Sequence, residues 1–222
     1  MNYKEEFIEL MLKADVLKFG EFTLKSGRKA PYFINTGNYK KGSEILELGK
    51  FYAKCYNENF GSKKALLFGP AYKGIPLVVT TAASLADMYA LDLNYSFNRK
   101  EAKDHGEGGV YVGTKPSSTD HVVIIEDVIT AGTAVRESMD MFSKIDGISV
   151  DGLIIAVDRM EKGKTEKSTM QELRDEFGMK IHAIVTINDI VEYLYNKEVN
   201  GKIYIDDAMK KSIDEYQSKY CS

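Results

Sequence analysis

The chain has 222 residues, of which 44% are hydrophobic and 28% are charged, and its net charge is −3. This length supports one substantial hydrophobic core, and the composition is that of an ordinary globular protein. The slight net acidity provides no general attraction for nucleic acid, so we expect no nucleic-acid partner.

Two cysteines and the N-terminal composition indicate the cellular compartment. Cys55 and Cys221 lie far apart in the sequence. Residues 1–22 mix Lys and Glu with apolar residues and lack the continuous apolar segment of a secretory signal. No uncharged apolar run reaches the roughly 20 residues of a membrane span. We therefore expect two reduced thiols, no membrane contact and a cytoplasmic location.

The first forty residues predict a small N-terminal hood. Apolar residues recur at helical spacing between Tyr3 and Leu17. Two β-prone runs follow, at 22–24 and 32–34, and Ser26-Gly27 between them is a turn signal. The pattern predicts a helix and then a hairpin that lies outside the main sheet.

Strand and helix patterns alternate from about residue 43 to 197 and predict an α/β core. We expect strands at 65–68, 89–97, 110–112, 122–125, 152–157 and 181–187. Helical patterns include 45–52, 75–88, 135–142, 169–177 and 189–196, and a C-terminal helix is expected at 207–220. The alternation predicts a single domain over residues 1–222, with a central parallel sheet flanked by helices.

Ligands of parallel sheets bind beyond the carboxyl ends of the strands. The loops expected at that edge are 69–74, 98–109, 126–134 and 158–163. We interpret 98–109 as a mobile loop because it is polar and rich in glycine. The convergence of the four loops predicts one site.

The stretch 122–134 carries the clearest functional pattern. An apolar run leads into Glu126 and Asp127, and a turn of small residues, 130–134, then enters a helix. The N-terminus of a helix can hold an anion, and neighbouring carboxylates can hold sugar hydroxyls. The pattern predicts a ligand with both phosphate and ribose. The alternative for Glu126 and Asp127 is an acidic pair that caps the following helix. The alternative for the turn is Thr133 as a plain N-cap residue, which is compatible with phosphate binding at the same helix end.

Three segments together resemble a known family. The stretch 122–134 resembles the phosphoribosyl diphosphate signature of the type I phosphoribosyltransferases. Residues 22–33, F-T-L-K-S-G-R-K-A-P-Y-F, look like the N-terminal segment of the orotate phosphoribosyltransferases, and 99–106 looks like their catalytic loop. The resemblance implies a type I phosphoribosyltransferase fold. It also implies transfer of a 5-phosphoribosyl group from phosphoribosyl diphosphate to orotate, in pyrimidine biosynthesis.

The resemblance also implies site residues. The catalytic residues are expected to be Lys103, His105, Glu126 and Asp127. The substrate-binding residues are expected to be Lys25, Phe33, Ile34, Tyr72, Lys73, Arg99, Lys100, Val128, Ile129, Thr130, Ala131, Gly132, Thr133, Ala134 and Arg159. The cofactor is expected to be Mg²⁺, held mainly through substrate and water without a direct protein ligand.

Within this set, Lys25, Phe33, Ile34 and Arg159 are expected to contact the base. Ile34 departs from the family, which often has a second aromatic residue there. The resemblance further implies a cis peptide bond between Ala71 and Tyr72. It also implies a homodimer in which loop 98–109 reaches into the neighbouring subunit's site.

Other interpretations stay open at this stage. Residues 99–107 contain three Lys or Arg and three Asp or Glu, which is also typical of a solvated loop. A related transferase that uses a purine or uracil would share the pattern at 126–134. A regulatory protein that binds nucleotides or RNA on the same fold would keep the phosphate-binding turn without catalysis.

Overall fold

A computed structural model describes residues 2–24, 27–103 and 109–222, without the side chains of residues 102 and 103. Within these ranges the helices are α1 (Tyr3–Lys13), α2 (Gly42–Phe60), α3 (Gly74–Tyr89), α4 (Thr133–Phe142), α5 (Thr169–Phe177), α6 (Ile187–Leu194) and α7 (Asp207–Tyr220). The strands are β1 (Leu17–Thr23), β2 (Lys29–Ile34), β3 (Leu66–Gly69), β4 (Tyr95–Lys103), β5 (Gly109–Gly113), β6 (His121–Val128), β7 (Ser149–Asp158), β8 (Lys180–Thr186), β9 (Glu198–Val199) and β10 (Lys202–Ile203).

A six-stranded sheet in the order β5-β4-β3-β6-β7-β8 forms the centre of the molecule. The parallel strands are β4, β3, β6, β7 and β8. Strand β5 pairs antiparallel with β4 at the edge of the sheet. Helices cover both faces of the sheet. The expected α/β class with a central parallel sheet is therefore confirmed.

Strand β6 shows how the sequence produces these layers. Successive side chains of a strand point to opposite faces. Val123 and Ile125 accordingly join an apolar cluster with residues of α1, α2, α3, α6 and α7, whereas Val122 and Ile124 join one with residues of α4 and α5. All four side chains are fully buried. A strand buried on both faces requires the uninterrupted apolar run seen in the sequence.

The N-terminal segment divides between the core and an outer hairpin. Phe7 on α1 is fully buried, and its ring lies 5.3 Å from that of Phe51 on α2. Strands β1 and β2 form a separate antiparallel pair, as the turn signal predicted. The ring of Tyr32 on β2 packs edge-on against Tyr216 of α7 at 5.8 Å. The C-terminal helix therefore supports the hairpin.

The prediction for residues 89–109 was wrong in two respects. Helix α3 extends through Tyr89, and the strand begins only at Tyr95. Residues 98–103, expected in a loop, instead extend β4 and pair with β5. An edge hairpin exposed to solvent needs no apolar alternation, so its polar sequence concealed the strand. Residues 104–108 lie outside the described residues.

Among the residues that the structure describes, every helix is too short or too polar to cross a bilayer.

The junction between β3 and α3 has no room for a side chain at Gly69. An added Cβ there would lie 2.3 Å from the carbonyl oxygen of Gly74 and 2.7 Å from Val78. We expect Gly69→Ala to lower the free energy of unfolding by about 1–3 kcal/mol, because backbone atoms must shift. Urea unfolding measures this change.

The matched control is Gly42→Ala at the start of α2, where an added Cβ meets no atom within 4 Å. Its free energy of unfolding should stay within about 0.5 kcal/mol of the parent value. An equally small change in Gly69→Ala would contradict the close packing.

Candidate active site

Loops 69–74, 126–134 and 158–163 meet beyond the carboxyl ends of β3, β6 and β7. They border two adjoining cavities, of about 830 Å³ and about 230 Å³. Lys73, Ile129 and Thr130 line both. The arrangement fits a ligand with two chemically different ends.

The two carboxylates at the end of β6 are buried. Glu126 is 7% exposed and Asp127 is 6% exposed. Asp127 Oδ2 accepts hydrogen bonds from Lys73 Nζ at 2.8 Å and from Thr36 Oγ1 at 2.5 Å. Glu126 Oε1 accepts from the backbone N–H of Asp127 at 2.9 Å. These contacts do not fit the alternative of an acidic pair capping the following helix.

The two carboxylates differ in protonation. Burial, together with the neighbouring Asp127, raises the pKa of Glu126 to about 8. Burial also acts to raise the pKa of Asp127, but the hydrogen bonds from Lys73 and Thr36 outweigh it and lower that pKa. At neutral pH the pair therefore holds one negative charge, on Asp127, beside the Lys73 ammonium.

The turn 130–134 leads into the N-terminus of α4. Gly132 is the N-cap residue with a φ of +71°, a conformation that favours glycine. Thr133 is the first helical residue, so the alternative of Thr133 as N-cap was wrong. Within the described part of the chain, no side chain caps this end. Its N–H groups and the helix dipole can therefore hold an anion.

Two side chains outside the turn hold it in place. Arg136 Nη1 donates to the carbonyl oxygen of Ala131 at 2.6 Å, and Thr169 Oγ1 donates to that of Thr130 at 2.7 Å. Arg136 also pairs with Glu176 of α5 at 2.9 Å. Both carbonyl oxygens therefore have hydrogen-bond donors within the protein.

Loop 69–74 places Lys73 beside the carboxylates. The peptide bond between Ala71 and Tyr72 is cis, as expected. The N–H of Ala71 donates to Asn98 Oδ1 at 2.8 Å, and the Tyr72 side chain is mostly exposed. The loop thus presents an exposed aromatic ring and a cation at the smaller cavity.

The larger cavity has an aromatic side and a cationic side. Phe33 and Ile34 line it, and the Phe33 ring stacks on Phe22 at 5.6 Å. Arg159 also lines it and forms an ion pair with Glu161. Glu161 also accepts a hydrogen bond from the hydroxyl of Tyr216 at 2.7 Å.

The guanidinium of Arg159 is largely buried and retains a donor. Its carbon lies 5.8 Å from the centre of the Tyr32 ring. Burial acts to lower its pKa, but the charge of Glu161 outweighs burial and raises the pKa. Its Nε is buried and has no hydrogen-bond partner within the described ranges. A flat anionic ligand in this cavity would supply an acceptor.

The structure brings most of the predicted residues to these two cavities. Those lining one or both are Phe33, Ile34, Tyr72, Lys73, Glu126, Asp127, Val128, Ile129, Thr130, Ala131, Gly132, Thr133, Ala134 and Arg159. Arg99 and Lys100 lie on β4, where Arg99 Nη1 donates to the carbonyl oxygen of Gly109 at 3.3 Å. Lys25, His105 and the side chain of Lys103 lie outside the described residues.

Sequence reasoning missed the side chains that position the site. These are Thr36, Asn98, Arg136, Glu161 and Thr169, together with Tyr52, whose hydroxyl donates to the carbonyl oxygen of Glu126 at 2.7 Å. Tyr52 was recognised only as part of a helical pattern. Thr36, Asn98 and Thr169 act on residues distant in the chain, and no local spacing marks such contacts. Arg136 and Glu161 contact Ala131 and Arg159 nearby in the chain, but these contacts form only in the folded loops.

The raised pKa of Glu126 makes a prediction about stability. Between its ordinary value of 4.5 and about 8, the folded state binds more protons than the unfolded state. The contribution of Glu126 to stability therefore falls as pH rises through this range. Glu126→Gln removes the titration, so its stability relative to the parent should rise by about 1–3 kcal/mol from pH 5 to pH 8.

Urea unfolding at the two pH values measures this difference. The exposed Glu137→Gln on α4 is the control, with the same small change expected at both pH values. A Glu126→Gln effect that does not vary with pH would show that the Glu126 carboxyl titrates normally.

Comparisons with known proteins agree with this site. A profile described as "Phosphoribosyl transferase domain" matches residues 35–186. An orotate phosphoribosyltransferase of Clostridium acetobutylicum is 52% identical over 219 residues, covering 99% of this chain and 98% of the relative. A crystal structure of orotate phosphoribosyltransferase from Francisella tularensis superposes with a TM-score of 0.85 and 38% identity, covering 98% of this chain and 100% of that one. The chain belongs to the orotate phosphoribosyltransferase family of type I phosphoribosyltransferases.

Proposed function

We propose that this chain transfers the 5-phosphoribosyl group of phosphoribosyl diphosphate to orotate. The products are orotidine 5′-monophosphate and diphosphate, in pyrimidine biosynthesis. One observation carries the proposal: an uncapped helix end, a buried carboxylate pair and a cavity lined by Phe33 and Arg159 adjoin through Lys73, Ile129 and Thr130. Phosphate, ribose and base are joined in the same order in the product.

The phosphate and ribose are assigned to the turn after β6. Backbone N–H groups and hydroxyls of 130–134 bind the 5′-phosphate at the N-terminus of α4. Asp127, and Glu126 where ionised, accept hydrogen bonds from the ribose 2′- and 3′-hydroxyls. Glu126 and Asp127 precede the turn by only a few residues, so they lie near it. This closeness matches the short distance between the ribose and its 5′-phosphate.

The base is assigned to the larger cavity. Orotate is flat and anionic, so it requires an apolar surface and a cation for its carboxylate. Phe33 and Ile34 supply the surface, and Arg159 supplies a planar pair of donors. Lys25 is assigned a second contact to the base by family resemblance. The ion pair with Glu161 fixes the guanidinium orientation before orotate arrives.

The diphosphate is assigned to residues of two neighbouring elements. Tyr72 and Lys73 approach it from the loop after β3. Arg99 and Lys100 approach from the β4–β5 hairpin of the neighbouring subunit in the proposed dimer, with Lys103 and His105 assigned by family resemblance. The leaving group gains negative charge as the glycosidic bond breaks, and cations that approach it stabilise that charge.

The carboxylates act on the other side of the reacting bond. Reaction at the anomeric carbon passes through a cation-like state, as in glycoside hydrolysis. The negative charge of buried Asp127 stabilises the positive charge that develops on the ribose, more strongly than a solvated carboxylate would. Glu126, with its raised pKa, is held neutral until a cationic group approaches.

Mg²⁺ fits this site as an ion carried by the substrate. The described residues contain no group of three or more His, Cys, Asp or Glu side chains placed to hold a metal. Mg²⁺ usually keeps several waters and binds substrate phosphates, so Glu126 and Asp127 would face it only through water. When bound, the ion neutralises charge on the diphosphate.

The proposal includes a cytoplasmic homodimer. The β4–β5 hairpin lies at the edge of the sheet, away from β7 and β8. An edge hairpin that carries cations is suited to reach a neighbouring subunit's site. We therefore propose that segment 98–109 of each subunit contributes to the site of its neighbour.

Substrate choice provides the first test. Purified protein with phosphoribosyl diphosphate and Mg²⁺ should release diphosphate with orotate but not with uracil, adenine or hypoxanthine. Arg159→Met should raise the KM for orotate about 10- to 100-fold, through loss of a charge-assisted bidentate contact, and change the KM for phosphoribosyl diphosphate little. Turnover with a purine or uracil and none with orotate would overturn the proposal.

Subunit complementation provides the second test. Lys103→Ala and Asp127→Ala homodimers should each be nearly inactive. Mixed and reassociated, they should recover roughly a quarter of parental activity, because half of the dimers are mixed and each mixed dimer has one intact site.

The control mixture combines Glu126→Ala with Asp127→Ala. Both residues lie on the same strand of the same site, so no mixed dimer contains an intact site. Recovery no greater than in this control, with mixed dimers demonstrated by mass spectrometry, would show that the hairpin acts within its own subunit.

A further inference from the structure

A threonine of the hood contacts the catalytic carboxylate. Thr36 begins a 3₁₀ turn, Thr36–Asn38, directly after β2. Its Oγ1 donates to Asp127 Oδ2 at 2.5 Å, across 91 positions of sequence. The same Oγ1 accepts from Lys73 Nζ at 3.3 Å. Lys73 Nζ also donates directly to Asp127 Oδ2 at 2.8 Å, so the hydroxyl, the ammonium and the carboxylate oxygen all contact one another.

The backbone of this turn is firmly held. The side chain of Asn35 accepts a hydrogen bond from the N–H of Gly37 at 3.2 Å. The N–H of Asn35 donates to the carbonyl oxygen of Val16 at 2.8 Å. Asn38 Nδ2 donates to the carbonyl oxygen of Asp15 at 2.8 Å. The backbone of Thr36 is thus fixed at the base of the hood hairpin, and its short side chain has little freedom to move.

Lys73 and Thr36 differ in their freedom to leave Asp127. The Lys73 side chain is 64% exposed, whereas that of Asp127 is 8% exposed. The proposed reaction requires the long lysine side chain to turn towards the diphosphate. A buried carboxylate oxygen that loses a donor carries a substantial desolvation cost. Among the described residues, Thr36 is then the side-chain donor that remains on Oδ2.

We propose that Thr36 is a positioning residue, whose hydroxyl keeps the Asp127 carboxylate oriented towards the ribose when Lys73 turns to the diphosphate. The inference rests on the proposed function, because it assigns Asp127 to the ribose and Lys73 to the leaving group. It also gives the hood a part in the chemistry. The hairpin carries Phe33 beside the base. Through Thr36, directly after β2, it also holds the Asp127 carboxylate beside the reacting carbon.

The charges around Asp127 define what loss of the hydroxyl would do. Glu126 adjoins it on β6, Lys73 approaches from the loop before α3, and Tyr52 lies nearby on α2 with Tyr39 beside it. Only Lys73 is a cation among these groups. Burial and the nearby Glu126 act to raise the pKa of Asp127, and the Thr36 hydroxyl acts to lower it. Removal of the hydroxyl should therefore raise this pKa.

The test compares three variants of the full-length enzyme. Thr36→Val keeps the shape and removes the hydroxyl, Thr36→Ser keeps the hydroxyl, and Asn38→Ala removes a different hydrogen bond of the same turn. Thr36→Val should lower kcat about 10- to 100-fold, as expected for a lost charge-assisted hydrogen bond, with the KM for orotate unchanged. Its acid limb of kcat/KM should move to higher pH.

Thr36→Ser should stay within about 3-fold of the parent kcat, and Asn38→Ala should leave the acid limb in place. Equal losses in Thr36→Val and Asn38→Ala, with neither pH profile displaced, would reduce Thr36 to a purely structural role. Thr36→Ser as impaired as Thr36→Val would also overturn the inference.

A measurement without substrate separates this inference from the proposed function. Carboxyl carbon NMR of ligand-free protein, with Asp127 assigned through Asp127→Asn, should show its titration at higher pH in Thr36→Val than in the parent. If the parent is inactive with orotate, the proposed function fails. If the parent is active and Thr36→Val matches it in kcat and in Asp127 titration, only the inference about Thr36 fails.

Discussion

The rest of the site depends on burial of two adjacent carboxylates at the end of the central strand. Two negative charges side by side in a low-dielectric region repel one another, and the structure resolves this by holding one of them neutral. Burial and the neighbouring Asp127 raise the pKa of Glu126, which accepts from the adjacent backbone N–H, while hydrogen bonds from Lys73 and Thr36 lower the pKa of Asp127. The loop after β3 and the hood therefore stabilise the buried charge at the end of β6 through these two contacts.

This constraint links stability and chemistry in the proposed reaction. The ion pair that stabilises Asp127 in the ligand-free state uses the lysine that the diphosphate requires. Substrate binding must therefore exchange one partner of Lys73 for another, and the resulting affinity reflects the difference between the two interactions. A stronger ion pair between Lys73 and Asp127 would weaken diphosphate binding. The exposure of the Lys73 side chain to solvent limits the strength of this ion pair.

The sequence predicted the parts of this arrangement that are encoded locally. The run before Glu126 identified a strand buried on both faces, and the small residues after it predicted a turn that leads into a helix. It failed at β4, since the polar residues 98–103 extend this strand as part of a hairpin with the edge strand β5 and show no apolar alternation. Thr36 escaped notice because it contacts Asp127 across 91 positions of sequence. Arg136 escaped notice because its contacts with Ala131 and Glu176 form only in the folded chain. Such contacts are products of the fold and have no signature in spacing.

The turn at 130–134 contains no Lys or Arg, and the nearby Arg136 is paired with Glu176 and directed at a carbonyl. In the proposed reaction the 5′-phosphate is therefore held by backbone dipoles and hydroxyls at short range. The diphosphate, in contrast, meets cationic side chains whose attraction extends through solvent and is screened by salt. Higher ionic strength would thus act unequally on the two ends of one substrate molecule. It would weaken binding of the diphosphate more than binding of the 5′-phosphate.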